Sequence, residues 1–221
     1  MDNNIDWEPQ NVANLAEALS KIGNEYRSKI ANIYYFFNKI GQDQKWIGKN
    51  YNSIVDDIMN KSRNTFEEWA NYLQYIVPET IYTIANMQAS IGGGTIDFFI
   101  YQNSDEIRAV EDTVEKADGS MIINYEEVRK VISNNIASES SAAISKLQEY
   151  YMQFEMLGTL NGNEAIIIMY EQLDNLISKN KAILNTFIEE MENSVEMSIR
   201  KTEITNTQTI LLADKILSIL N

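Results

Sequence analysis

Histidine and cysteine are both missing from these 221 residues, and proline occurs only twice. Without the first two there is no thiolate nucleophile, no disulfide, no Cys/His zinc site and no histidine-based triad. A di-iron carboxylate bundle is excluded as well, because its Glu-x-x-His pairs need histidine. Basic residues are scarce: 18 Lys and Arg stand against 32 Asp and Glu, a net charge of −14. That balance lacks the footprint of a nucleic-acid binder and is repelled by an anionic membrane surface. Even the longer apolar runs, such as 166–170, fall far short of a bilayer span. The opening MDNNIDWEPQ is acidic where a Sec signal would be basic, and no apolar core follows it. The expectation is a soluble protein that leaves the cell, if it does, without a cleaved signal. Freedom from cysteine suits export without oxidative folding.

Few prolines and only nine glycines, three of them consecutive in SIGGGT, predict long helices. Leu15, Leu19, Ile22, Tyr26, Ile30, Ile33, Phe37 and Ile40 recur at three- and four-residue steps, a helical stripe of roughly 46 Å. Asp6 with Pro9 reads as its start and Gly41 as its stop. After Gly48 a second stripe runs through Val55, Met59, Phe66, Trp69, Leu73, Val77, Ile81 and Ile84. Pro78 removes the hydrogen bond to the Gln74 carbonyl and is expected to kink this helix without ending it.

The second half repeats the layout at a shift of 114 residues. Ile22, Ile33 and Ile40 fall on Ile136, Leu147 and Phe154, and Val55, Leu73 and Val77 on Met169, Phe187 and Met191. The turns align too, with Trp46 over Leu160 and Gly48 over Gly162. The register predicts an all-α protein of two tandem antiparallel helical hairpins forming a four-helix bundle. The first hairpin occupies residues 1–90, a connecting segment 91–123, the second hairpin 124–203 and a helical tail 204–221.

The connection holds the glycine run, then FFIY at 98–101, then a charged stretch expected to be helical. Its end, EKADGSM, is no calcium loop, since Val114 and Lys116 occupy ligand positions before Asp118 and Gly119. Neighbouring acids such as Glu67 and Glu68 point to diverging helix faces and make poor acid/base pairs. No cofactor, metal or catalytic residue is expected. The stripes are wider than one helix seam needs, so the hairpins should bury them on each other within a monomer. A homodimer exchanging hairpins across Gly92-Gly93-Gly94 is the other sink for the same faces.

One tripeptide stands out in the first turn, Trp46-Ile47-Gly48. An indole there can close the apolar end of a helix pair while its N–H reaches water or a carbonyl. Glycine two residues on permits the positive φ of a tight reversal. Placed midway between two long helices in an acidic, cysteine-free chain, WIG resembles the turn of the WXG family of helical-hairpin type VII secretion substrates of Gram-positive bacteria. About 90 residues match the family in size; residues 124–203 match in layout only, keeping Gly162 and replacing the tryptophan by Leu160. The family has one hairpin per chain paired as a dimer, so a fused tandem is a departure.

The resemblance implies secretion, with the secretion machinery and a co-secreted effector as partners. It also implies an export signal, Tyr-x-x-x-Asp/Glu, beyond the second helix of a hairpin. The pattern occurs at Tyr75, Tyr101, Tyr151 and Tyr170, and only Tyr101 with Asp105 lies outside a hairpin. On a helix that spacing would put phenol and carboxylate on one face. Two other classes compete. FFIY could be the inserting tip of a membrane-active toxin, though a packed linker is the commoner fate of so short an apolar run. The remaining class is a purely structural bundle.

Overall fold

The computed structural model describes residues 8–102, 105–114, 122–159 and 164–220. The protein is all-α, its strands limited to one two-residue bridge among the described residues. Helix α1 (Pro9–Gln42) begins with a proline whose fixed φ suits a first turn. The expected start signal Asp6 lies outside the described residues. Gly41 does not stop the helix, which runs on through Gln42. Its smallness serves packing instead: a Cβ there would lie 2.6 Å from the Tyr51 hydroxyl. The predicted stripe is the buried face, with Leu19, Tyr26, Ile30, Ile33, Phe37 and Ile40 all inaccessible or nearly so.

After the strand β1 (Trp46–Ile47), a second helical rod covers residues 49–91. It consists of α2 (Lys49–Ile54), a π-helical turn Val55–Met59, α3 (Asn60–Asn71), a second π turn Tyr72–Ile76, and α4 (Val77–Ile91). The rod continues past Pro78 as the stripe predicted, and the proline's missing donor falls directly after a widened turn. Each π turn offers a carbonyl to a tyrosine from another helix. Tyr34 donates to the Met59 oxygen at 2.8 Å, and Tyr150 to the Leu73 oxygen at 2.9 Å. At the second π turn α1 crosses with almost no gap. A Cβ on Gly23 would lie 2.7 Å from the Gln74 nitrogen and from the Leu73 carbonyl carbon.

The connection corrects the sequence reading. Residues 105–114 are not helical; with 95–102 they form an extended strap along α1 and the 49–91 rod. Asp97 lies beside Gln10 and Thr113 beside Gly48, so the strap runs the length of α1. Sixteen steps from Asp97 to Thr113 reach roughly 53 Å when extended, whereas a helix of that size covers about 24 Å. The 34 residues of α1 rise about 51 Å. Distance therefore overrides the helical propensity of the charged stretch. The EKADGSM end, 115–121, lies outside the described residues.

Strand β2 (Ile122–Ile123) pairs antiparallel with β1, Trp46 opposite Ile123 and Ile47 opposite Ile122. Then come α5 (Tyr125–Lys130), capped by the Asn124 side chain, a π turn Val131–Ile136, α6 (Ala137–Glu155) and a 3-10 turn Met156–Thr159. Ion pairs Lys29–Glu139 and Glu25–Lys146 set α6 antiparallel to α1. Helix α7 (Glu164–Leu220) packs against both α1 and the 49–91 rod, Tyr26 donating to Asn180 and Tyr72 to Gln172. The boundary drawn at 203/204 falls inside this one helix, and Ile204, Ile210 and Leu211 are exposed along its end. No helix among the described residues is long and apolar enough to cross a membrane.

Candidate functional site

The first turn is built from the aromatic side chains of three elements. Trp46 is completely buried, its ring edge-on to Tyr51 at 5.9 Å, and Tyr51 stacks flat on Phe37 at 5.0 Å. The indole is packed into the core at this end of α1. Its N–H does not reach a carbonyl: Nε1 is buried and meets no acceptor among the described residues. Gly48 sits at φ 115° and ψ −172°, a region that glycine alone occupies without strain. Its N–H donates to the Thr113 hydroxyl, which ties the turn to the strap. Gly162 and Leu160, the matching positions of the second turn, lie outside the described residues.

The strap is gripped through its main chain. The Asn60 amide accepts from the Val110 N–H at 3.0 Å and donates to the Val110 carbonyl at 3.1 Å. Asn52 does the same to Thr113, at 2.9 and 3.0 Å, and Gln10 to Asp97 at longer range. Each side-chain amide replaces one rung of a β-ladder, so an unpaired extended segment can lie on helices without orphaned polar groups. Glu17 accepts from the Phe99 N–H, Ser20 from the Tyr101 N–H and Asn38 from the Glu111 N–H. Ile107 and Val110 are buried beneath, and Phe98 stacks on Tyr82 at 4.3 Å. FFIY is therefore laid along α1 and α4 and does not project from them.

The candidate signal residues ride on this strap. Tyr101 is half-buried, with its N–H given to Ser20 and its carbonyl accepting from Gln74 at 2.7 Å. Asp105 is exposed and accepts from the Ser28 hydroxyl at 2.6 Å. Neither lies on a helix, so the expected shared helix face is corrected. An open cleft between the strap and α1 is lined by Tyr35, Asn38, Asp105 and Arg108.

Behind Tyr101 lies a polar layer that the apolar stripes gave no hint of. Arg27 is almost wholly buried and donates to Gln74, Glu67 and Asn71. Gln74 accepts from Arg27 and donates to the Tyr101 carbonyl, so a buried guanidinium is one hydrogen-bonded side chain from the strap. The asparagines and glutamines of the clamps were also missed. Their only trace in the sequence is amides at the flank of both stripes, a pattern shared with ordinary solvated helix faces.

Burial pushes the phenols of Tyr26, Tyr34, Tyr51 and Tyr150 well above the usual tyrosine range. Among the described residues no three His, Cys, Asp or Glu side chains converge as metal ligands. What this surface offers is the binding of extended main chain. No family model matches the chain, and neither does any curated protein or solved structure.

Proposed function

We propose that this chain consists of two WXG-like hairpins fused into one four-helix bundle and acts as a non-enzymatic binding or export module of a type VII secretion system. The first turn carries the reading. Its tryptophan is buried at the end of a helix pair, and its glycine holds a φ of 115° that no other residue tolerates. The antiparallel set of the hairpins is supported by the strap, which returns the chain to the Trp46 end before α5 begins. The lack of histidine and cysteine supports a non-catalytic role. In this reading the protein is a secreted effector, or carries a co-secreted one, and reaches the cell surface or medium without a cleaved signal. Laying FFIY along the hairpin leaves the membrane-active alternative without its inserting tip.

Export from a Gram-positive host, with and without its type VII ATPase, tests the proposal. Loss of the protein from the medium in the ATPase-deficient strain is expected; undiminished release contradicts it. Tyr101→Ala or Asp105→Ala should block export while helicity and cellular level stay unchanged. Normal amounts of either variant in the medium would remove these two residues from the mechanism.

A further inference from the structure

The Tyr-x-x-x-Asp/Glu pattern at Tyr151 takes part in an arrangement that the export reading does not use. Tyr151 donates to the Tyr170 hydroxyl at 2.5 Å, and Tyr170 donates to Glu155 Oε1 at 3.0 Å. Helix α6 supplies Tyr151 and Glu155 from one face, one turn apart, and α7 brings Tyr170 across to them. The two tyrosine rings lie 5.1 Å apart between centroids, with 45° between their planes, and Tyr170 also tilts on the buried Phe154. That spacing is towards the near end of the roughly 4.5–7 Å at which aromatic pairs sit. Both tyrosines are half-buried and Glu155 is exposed, so a small oxidant reaches them from solvent. Tyr26, Tyr34 and Tyr150, by contrast, are sealed in the core, their hydroxyls given to Asn180 and to main-chain carbonyls. The first half carries Phe37, Gly41 and Asp56 at the matching positions, so the arrangement belongs to the second half alone.

We propose that Tyr151 and Tyr170 are a site of oxidative cross-linking, joined by a carbon–carbon bond between their rings with Glu155 as the proton acceptor. The co-reactant is a one-electron oxidant of the haem-peroxidase class working with hydrogen peroxide. A phenol is protonated at neutral pH, so each ring loses a proton with its electron. Tyr170 gives its electron to the oxidant and its proton to Glu155. Its radical takes the hydroxyl hydrogen of Tyr151, and Glu155, once its proton has passed to water, accepts from Tyr170 a second time. The two phenoxyl radicals couple at ring carbons beside the hydroxyls, and the hydrogens displaced from those carbons return to the oxygens. Two electrons and two protons leave in all, and they reduce one hydrogen peroxide to two waters. The product staples α6 to α7 in a chain that has no cysteine to do so. It joins residues 19 apart, and limiting the unfolded chain in this way stabilises the folded one.

Wild-type chain treated with a haem peroxidase and limiting hydrogen peroxide provides the test, read by dityrosine fluorescence and by mass spectrometry of the linked peptides. Dityrosine emission is expected, with a monomer lighter by two hydrogens and the 151–170 pair as the main link at every protein concentration. The melting temperature should rise, and the preference for this pair should vanish in urea. Glu155→Gln keeps the size of the side chain and removes its basicity. It should slow the link roughly tenfold or more while the unoxidised chain melts almost as before. Tyr170→Phe keeps the ring and should lose the link. The proposal is overturned if the native chain links other tyrosines or separate chains, with 151–170 no more abundant than in urea. It is equally overturned if helical Tyr170→Phe gives emission as strong as wild type. An unslowed Glu155→Gln overturns the part assigned to the carboxylate.

Discussion

The two halves bury matched positions yet are finished differently. Ile33 and Leu147, Ile40 and Phe154, Leu73 and Phe187, and Val77 and Met191 are core residues in both, each pair 114 residues apart. The features that tighten the first half have no counterpart. Gly23 and Gly41 give way to Ala137 and Glu155, and Arg27 to Ser141. Asn52 and Asn60, which hold the strap, give way to Ile166 and Asp174, and Asn38 to the exposed Met152. A shared apolar register is thus enough to set helices side by side. The close crossing, the buried guanidinium and the gripped strap are additions to one half.

The largest effect expected is alkaline unfolding. Tyr26, Tyr34 and Tyr51 belong to the first half of the chain and Tyr150 to the second, and burial raises all four. Their contribution is intact below about pH 10, where tyrosine in the unfolded chain is still neutral. Above it the unfolded chain releases protons that the folded one retains, and each phenol removes up to about 1.4 kcal/mol per pH unit. Circular dichroism across that range should show cooperative loss of helix, and Tyr150→Phe should make the transition shallower. Full helicity well above pH 12 would contradict the burial of these hydroxyls.

Next in size is Trp46→Ala, which empties the closed end and should cost about 3–5 kcal/mol by thermal or urea melting. Trp46→Phe should cost clearly less, because the unpaired indole N–H goes with the lost volume. An unchanged melting curve for the alanine variant would make the first turn no tighter than the second.

Gly23→Ala gives the first half the residue that the second carries at position 137. The added methyl meets backbone at 2.7 Å, which cannot move as a side chain can. A loss of about 1–3 kcal/mol is expected. A neutral result would show that α1 and the Tyr72–Ile76 turn can separate freely.

The smallest effects belong to the clamps. Asn52→Ala and Asn60→Ala should each cost about 1 kcal/mol. Proteolysis within 95–114 should quicken while the helices stay resistant. Equal resistance in wild type and the double variant would mean that the amides do not hold the strap.

The helices and their inward faces were readable because a 3.6-residue period survives in Leu19, Ile22, Tyr26, Ile30 and their partners. Trp46 and Gly48 stood out as an indole and a glycine between two long helices; the indole is buried and the glycine sits at φ 115°. The strap was misread as helix for a physical reason. Its composition favours helix, but the span from the Gln10 end to the Gly48 end needs the longer rise of extended chain, and asparagines remote in sequence satisfy its backbone. Local propensity carries no information about either constraint. Arg27 was invisible because its partners lie 40 to 47 residues away.

Hydrogen exchange along the strap is the measurement closest to the central claim, that this connection is a built part of the layer formed by α1 and the 49–91 rod. The amides of Phe99, Tyr101, Val110, Glu111 and Thr113 donate to Glu17, Ser20, Asn60, Asn38 and Asn52. They should exchange far more slowly than a free chain, although none is in a helix or strand, and Asn60→Ala should release Val110 first. Exchange of all five at free-chain rates, beside protected helices, would contradict it.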